Sequence, residues 1–79
     1  MRFQYDTIVY NLEESSECLT KLLNNCKKKK LVEGEFLPKI EHIILHLNLA
    51  YNARCLSRSA TSKLKKTEYK KYSSKLKRE

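Results

Sequence analysis

Hydrophobic residues in the first third of the chain recur at alternating spacings of three and four, from Tyr5 to Cys26. Side chains at these spacings lie on one face of an α-helix, because the helix has about 3.6 residues per turn. The pattern predicts a first helix over roughly residues 4–28, ending in lysines that the negative end of the helix dipole favours. Only Ser15 interrupts this apolar stripe, whose members are Tyr5, Ile8, Leu12, Ser15, Leu19, Leu22 and Cys26.

The N-terminus has one alternative interpretation, a short β-strand over Arg2–Tyr10. Phe3 and Tyr5 alternate there with polar neighbours, as apolar residues do in a strand with one buried face. A single strand would have nothing to pair with, so the helix is favoured.

A second helix is predicted around the chain's single glycine, Gly34, which marks a turn, and its single proline, Pro38, which suits the first turn of a helix. The apolar residues beyond them form two arcs around this helix. We expect the larger arc to be the core face against the first helix and the smaller arc, roughly opposite, to need a second cover. The larger arc holds Phe36, Leu37, Ile40, Ile43, Ile44, Leu47, Ala50, Tyr51 and Cys55, and the smaller arc holds Leu45, Leu49 and Leu56.

The chain changes character after Leu56. Residues 57–62 are rich in serine and threonine, which suit the end of one helix and the cap of the next. Residues 63–79 carry eight basic and two acidic side chains. We expect this segment to be a basic, weakly amphipathic third helix, with a frayed tail as the alternative because its few apolar residues bury little area. The chain thus divides into a helical hairpin core, residues 1–62, and a basic C-terminal helix or tail, residues 63–79.

Length and composition favour an all-α fold. The 79 residues include one glycine, one proline and no tryptophan, and 41% of them are hydrophobic, which argues against sandwiches and barrels with their many turns. We predict an antiparallel helical hairpin plus a basic C-terminal helix. Because a chain this short buries only a limited part of its surface, we expect self-association to complete the small helical bundle.

Charge and cysteine content bear on the compartment and on the partners. Lysine and arginine number 17 against 9 acidic residues, a formal charge of +8. The longest apolar run, Ile43–Leu45, is far shorter than the about 20 residues that cross a membrane, and no secretory signal is recognisable. We expect a cytoplasmic protein whose three scattered cysteines, which lack CxxC spacing, are reduced.

The group that most resembles a catalytic or metal site is Glu41 with His42 and His46, because histidines four residues apart share a helix face and can ligate one ion. The chain lacks the HExxH arrangement and has no third histidine, so we expect the histidines to border an apolar face instead. A ribonuclease-like set of Arg54, His46 and Asn52 rests on no motif. We therefore predict no catalytic residue, no metal site, no cofactor and no small-molecule substrate.

Two arginines, Arg54 and Arg58, fall on the larger arc of the second helix. A core does not hold unpaired guanidinium groups, so these side chains either extend to solvent at the rim or form a recognition surface. In an antiparallel hairpin about a turn near Leu31, the end of the second helix returns beside Asp6, which is then their natural partner.

Two functions fit these features. The first is a small non-enzymatic binding module, of adaptor or inhibitor type, that engages a protein partner or a second copy through an exposed helix face. The alternative is a basic protein that contacts the phosphate backbone of nucleic acid without strong sequence readout. The expected partner-binding residues are Leu45, Leu49, Leu56, Asn48, Asn52 and Arg54, and the expected contacts to nucleic acid or an acidic partner are Lys28, Lys29, Lys63, Lys66, Lys70 and Lys77.

Overall fold

The computed structural model describes residues 2–76, and 76% of these residues are helical, with no strand among them. The all-α class is therefore confirmed. The first helix agrees with its predicted range to within one residue at each end, and the alternative of an N-terminal strand is wrong. The described helices are α1 (Tyr5–Lys27), α2 (Glu33–Asn52), α3 (Arg58–Ser62) and α4 (Lys66–Ser74).

The turn that ends α1 is built on a lysine in the left-handed region, Lys29, with φ of 56°. The backbone N–H of Lys30 donates to the carbonyl of Asn25 at 2.8 Å, and that of Lys29 donates to the carbonyl of Cys26 at 3.1 Å. These two bonds form a Schellman motif, whose left-handed position is most often glycine. A lysine therefore occupies a backbone conformation that glycine adopts without a steric penalty.

The glycine that was expected to mark this turn lies inside α2 instead. Gly34 is the second residue of that helix and has no positive φ. Pro38 also lies inside α2, although it was expected at the start of the helix. Its ring removes the N–H that would donate to the carbonyl of Gly34, and the helix tolerates this loss within its first two turns. The loop between the helices, residues 28–32, contains Leu31, near which the hairpin was expected to turn, so only the assignment of the turn to Gly34 is wrong.

Contacts at the open end show that α1 and α2 form the predicted antiparallel hairpin. The backbone N–H of Gln4 donates to the carbonyl of Arg54 at 2.7 Å, and the Thr7 hydroxyl donates to the carbonyl of Leu56. Asp6 does meet the segment after α2, where its Oδ2 accepts from the backbone N–H of Arg58 at 3.2 Å. The start of α1 is thereby tied to the end of α2.

The two short helices fold back onto the hairpin. Ser57 caps α3, because its Oγ accepts from the backbone N–H of Ala60 at 3.1 Å. α3 packs against α1, and α4 packs against α2, where Asn48 donates to the carbonyl of Ser73 at 3.0 Å. Residues 57–62 thus form a helix of their own rather than a simple joint, and much of the basic segment is an ordered helix.

The side that α1 turns inward is mainly polar. Its buried residues are Thr7, Asn11, Ser15 and Leu22, and Thr7 and Asn11 are the most completely enclosed large side chains described. Thr7, Asn11 and Ser15 are four residues apart, and Leu22 follows seven residues after Ser15, so all four share one face of the helix.

The apolar stripe of α1 was expected to be this inward face, and that expectation is wrong. Leu12 is 48% exposed, Leu19 is 54% exposed and Tyr5 is 69% exposed. At about 100° per residue, the helix is rotated by roughly a quarter of a turn from the expected orientation. The stripe therefore lies beside the interface between the helices rather than within it.

The buried and exposed sides of α2 also differ from those predicted. Of the larger arc, only Ile43 and Ala50 are buried, whereas Ile44 is 47% exposed and Leu37 is 66% exposed. In the smaller arc, which was expected to lack a cover within the chain, Leu49 is only 3% exposed. The chain itself covers this side, because its later helices fold back onto the hairpin.

We predict that Lys29→Gly raises the free energy of unfolding by about 1 kcal/mol, because it removes the cost of a left-handed lysine and keeps both Schellman bonds. Urea unfolding of the two proteins measures the difference. The control is Lys28→Gly, one residue earlier in the right-handed region, where glycine brings no such gain. Equal effects at the two positions would contradict the assignment of the turn.

Candidate functional site

One side of the hairpin carries large apolar side chains that are open to solvent. Leu12 from α1 and Leu47 from α2 line a shared groove of about 590 Å³ together with Ile8 and Tyr51. The α1 stripe therefore lies on the same side of the hairpin as the exposed arc of α2.

Helical spacing extends this surface along both helices. Tyr5, Leu12 and Leu19 are seven residues apart, which is close to two turns, and Leu47 lies eleven residues after Phe36, which is close to three. We call the resulting surface the apolar face. Its members are Phe3, Tyr5, Leu12, Leu19, Leu23, Phe36, Ile44, Leu47 and Tyr51, which are between 41% and 69% exposed.

The size of the apolar face exceeds what a small monomer normally leaves open. A side chain of this size exposes roughly 150 to 200 Å² to solvent when it is fully open. Nine such side chains, each about half exposed, therefore expose an area on the order of 900 Å². The largest apolar patch on a typical monomeric protein is about 300–600 Å². None of the nine residues is charged, so a protein surface could cover the face without desolvating an ion.

An arginine borders the apolar face at its open end. Arg54 lines the groove beside Phe3, and its guanidinium lies 4.1 Å from the centre of the Tyr51 ring. The guanidinium also donates to the Tyr51 carbonyl at 2.7 Å. A second arginine, Arg58, stacks on the ring of Tyr10 at 3.4 Å. The arginines of the larger arc are therefore held against aromatic rings, outside the packed core.

Between the two helices, a hydrogen-bonded polar seam takes the place of an apolar core. Nδ1 of His46 lies 2.8 Å from Oδ1 of Asn11. The Asn11 amide donates to the Thr7 carbonyl at 3.0 Å, which leaves Oδ1 as the acceptor and makes Nδ1–H of His46 the donor. The Ser15 hydroxyl donates to the Asn11 carbonyl at 2.9 Å. We call Thr7, Asn11, Ser15 and His46 the polar seam.

Burial and a neighbouring imidazole lower the pKa of His46 from its usual 6.5. Burial is the larger cause, the charge of His42 is the second, and Glu14 opposes both. The two imidazole rings are 4.6 Å apart and nearly perpendicular. The neutral form, with its proton on Nδ1, is therefore the one that the folded chain favours.

The residues considered for metal binding or catalysis are not assembled into one site. Glu41 lines a cleft with Lys70 on the α4 side of α2, whereas His46 faces Asn11 of α1. Asn52 also faces α4, where it donates to the carbonyls of Tyr72 and Lys75, away from His46. Among residues 2–76 there is no group of three or more His, Cys, Asp and Glu side chains that could hold a metal ion.

Most of the expected partner-binding residues are engaged within the chain. Asn48 is buried and donates to Ser73, while Leu45 and Leu56 are half-buried. Leu49 is buried as well, so the premise that the smaller arc forms an open surface is wrong. Of the six residues, Arg54 lines the groove of the apolar face, and Leu45 and Asn48 line the cleft beside Ile44.

The expected phosphate-binding lysines occupy two separate parts of the surface. Lys28 and Lys29 lie at the turn between α1 and α2, and Lys63 and Lys66 lie just before and at the start of α4. All of these side chains are exposed, as is Lys70 on α4. The remaining candidate, Lys77, lies outside the described residues.

None of the helices in the described part of the chain is both long and apolar enough to cross a membrane. The chain matches no protein-family model, no curated protein and no solved structure. The geometry of its own residues is therefore the basis for the functional argument.

We predict that the free energy of unfolding falls as the pH drops below 6.5. The folded-state pKa of His46 is lowered from 6.5, so the unfolded chain binds a proton at a higher pH than the folded chain does. The stability that neutral His46 contributes is therefore complete above pH 6.5 and is lost as the pH falls below it. His46→Gln keeps a donor for Asn11 and removes this part of the pH dependence, as urea unfolding at several pH values measures. The exposed His42 provides the control, because His42→Gln retains most of the decline. An unchanged decline in His46→Gln would contradict the assignment.

Proposed function

We propose that this protein is a non-catalytic helical binding module that associates with a protein through the apolar face. The observation that carries the proposal is the set of exposed apolar side chains on both hairpin helices, with Leu12 and Leu47 lining a groove between them. Its area, on the order of 900 Å², is close to the about 800 Å² that each partner buries in a typical specific interface.

The balance between buried and exposed apolar residues supports association. Among the described residues, the buried apolar side chains are Leu22, Ile43, Leu49, Ala50 and Ala53, and two of these are alanines. Covering the apolar face would remove the exposed half of its nine side chains from water as well. At about 25 cal/mol per Å², the covered area corresponds to roughly 20 kcal/mol before the entropic costs of association.

The chemistry of the apolar face also favours association over catalysis. Its residues are leucine, isoleucine, phenylalanine and tyrosine, with no histidine, cysteine, carboxylate or amine side chain among them. The groove at its centre is open and apolar, with Arg54 at its edge. Such a surface fits the apolar side of another helix, which is how helical modules commonly bind partners.

A second candidate function is contact with the phosphate backbone of nucleic acid through the lysines of α4. The observation that favours it is that Asn48 and Asn52 hold the basic segment against α2, so exposed Lys66 and Lys70 stand on an ordered helix. Lysines at fixed positions can neutralise phosphates without reading base edges.

The two candidates predict different behaviour in cell lysate. Size-exclusion chromatography of lysate that contains the tagged chain should show an assembly larger than the 9.4 kDa monomer, and nuclease treatment should leave it intact. Leu12→Glu or Leu47→Glu should dissolve it, because each places a charge in the centre of the apolar face. The matched control is Leu76→Glu, since Leu76 and Leu12 are both 48% exposed and Leu76 lies outside the face.

An assembly that nuclease removes, and that both leucine substitutions leave unchanged, would contradict the protein-binding proposal and support the phosphate candidate. Elution of the wild-type chain as a monomer, with and without nuclease, would contradict both. Circular dichroism of the variants establishes that loss of assembly does not follow from unfolding.

A further inference from the structure

We infer that the apolar face is covered by a second copy of this chain, which gives a two-fold four-helix bundle in which α1 of each copy packs on α2 of the other. This inference rests on the proposed function, because it identifies the occupant of the same face. Area, helix geometry and charge each support it.

The area of the apolar face meets what a stable dimer needs. Two copies of a face on the order of 900 Å² bury about 1,800 Å² in total, within the range of about 1,200–2,000 Å² for specific interfaces. Two-fold interfaces are formed by the same patch on both subunits, so a single apolar face per chain is sufficient.

The two helices of the hairpin have the geometry of half a bundle. α1 has 23 residues and α2 has 20, so both span about 30–35 Å at 1.5 Å per residue. The apolar positions repeat every seven residues on both helices, at Tyr5, Leu12 and Leu19 on α1 and at Ile44 and Tyr51 on α2. This repeat suits the shallow crossing angle, about 20°, of four-helix bundles.

The two long edges of the apolar face carry charged side chains. Glu13 follows Leu12 on the outer side of α1 and is exposed. On the other edge, Lys70 of α4 and Glu41 of α2 are exposed and line a cleft together with Ile44.

Glu13 and Lys70 lie at the same height along the hairpin. Asn11 faces His46 in the antiparallel pair, which places Glu13 level with Ile44 and therefore with Lys70. A two-fold axis parallel to the helices leaves each residue at the same height and places the α1 edge of one copy against the α4 edge of the other. Glu13 of one copy then lies opposite Lys70 of the other, and this pair forms twice per dimer. A two-fold axis across the helices would instead stack α1 on α1 and bring acidic edges together.

Sedimentation velocity of the purified full chain, over a dilution series, tests the inference. The wild-type chain and Leu76→Glu should sediment as dimers, and Leu12→Glu and Leu47→Glu should sediment as monomers that keep their helical circular dichroism. A wild-type chain that stays monomeric throughout the series overturns the inference. In that case the lysate experiment still tests whether the apolar face binds another protein. Failure of the dimer is therefore distinguishable from failure of the proposed function. A dimer that both leucine substitutions leave intact also overturns it, because the contact then lies elsewhere.

Charge reversal tests how the two copies are arranged. Glu13→Lys and Lys70→Glu should each weaken the dimer by about three- to tenfold, since each affects two exposed pairs. The double variant, which restores both pairs with reversed signs, should recover most of the loss. Unchanged dimerisation of both single variants, or a double variant no stronger than the single variants, overturns the packing of α1 on α2, because Glu13 and Lys70 then do not face each other across the interface.

Discussion

The hydrogen bond between Asn11 and His46 is the contact on which the arrangement of the hairpin depends. Both side chains are buried, and a buried polar group without a partner costs about 1–3 kcal/mol. Each satisfies the other across the two helices, while Thr7 and Ser15 complete the seam through backbone carbonyls. This requirement sets the rotation of α1 about its axis and its register against α2. It also places a neutral imidazole between the helices, which makes the packing sensitive to acid.

The orientation of α1 determines what the rest of the surface can do. With its polar side turned inward, α1 presents Leu12, Leu19 and their neighbours beside the exposed arc of α2, and the two sets merge into one apolar face. The later helices do not add a cover there, because α4 binds the other side of α2 through Asn48 and Asn52. The hairpin therefore resembles half of a larger helical assembly, and this is why association is the function that its geometry supports best.

The sequence predicts the helices of this protein better than it predicts their faces. The bounds of α1 follow from local periodicity, which a single segment carries by itself. Local periodicity does not show which face of α1 turns inward. Thr7, Asn11 and Ser15 form a weaker four-residue repeat, and this repeat indicates a buried face only together with His46, which lies 35 residues after Asn11 in the chain. The turn near Leu31 was predicted, but Gly34 was assigned to it as the better left-handed residue, whereas Lys29 adopts that conformation. Leu49 was expected to be open because the periodicity of α2 does not show that the segments after it fold back onto the hairpin.

The central claim is that α1 buries its polar seam and leaves its apolar stripe open to solvent. Hydroxyl-radical footprinting of the monomeric chain, at a dilution below any association, measures this directly through the oxidation of individual side chains. We expect rapid oxidation of Leu12, Leu19 and Leu47 and protection of Leu22 and Leu49. Protection of Leu12 and Leu19 in the monomer would mean that α1 turns its apolar stripe toward α2, and would contradict the burial of the polar seam.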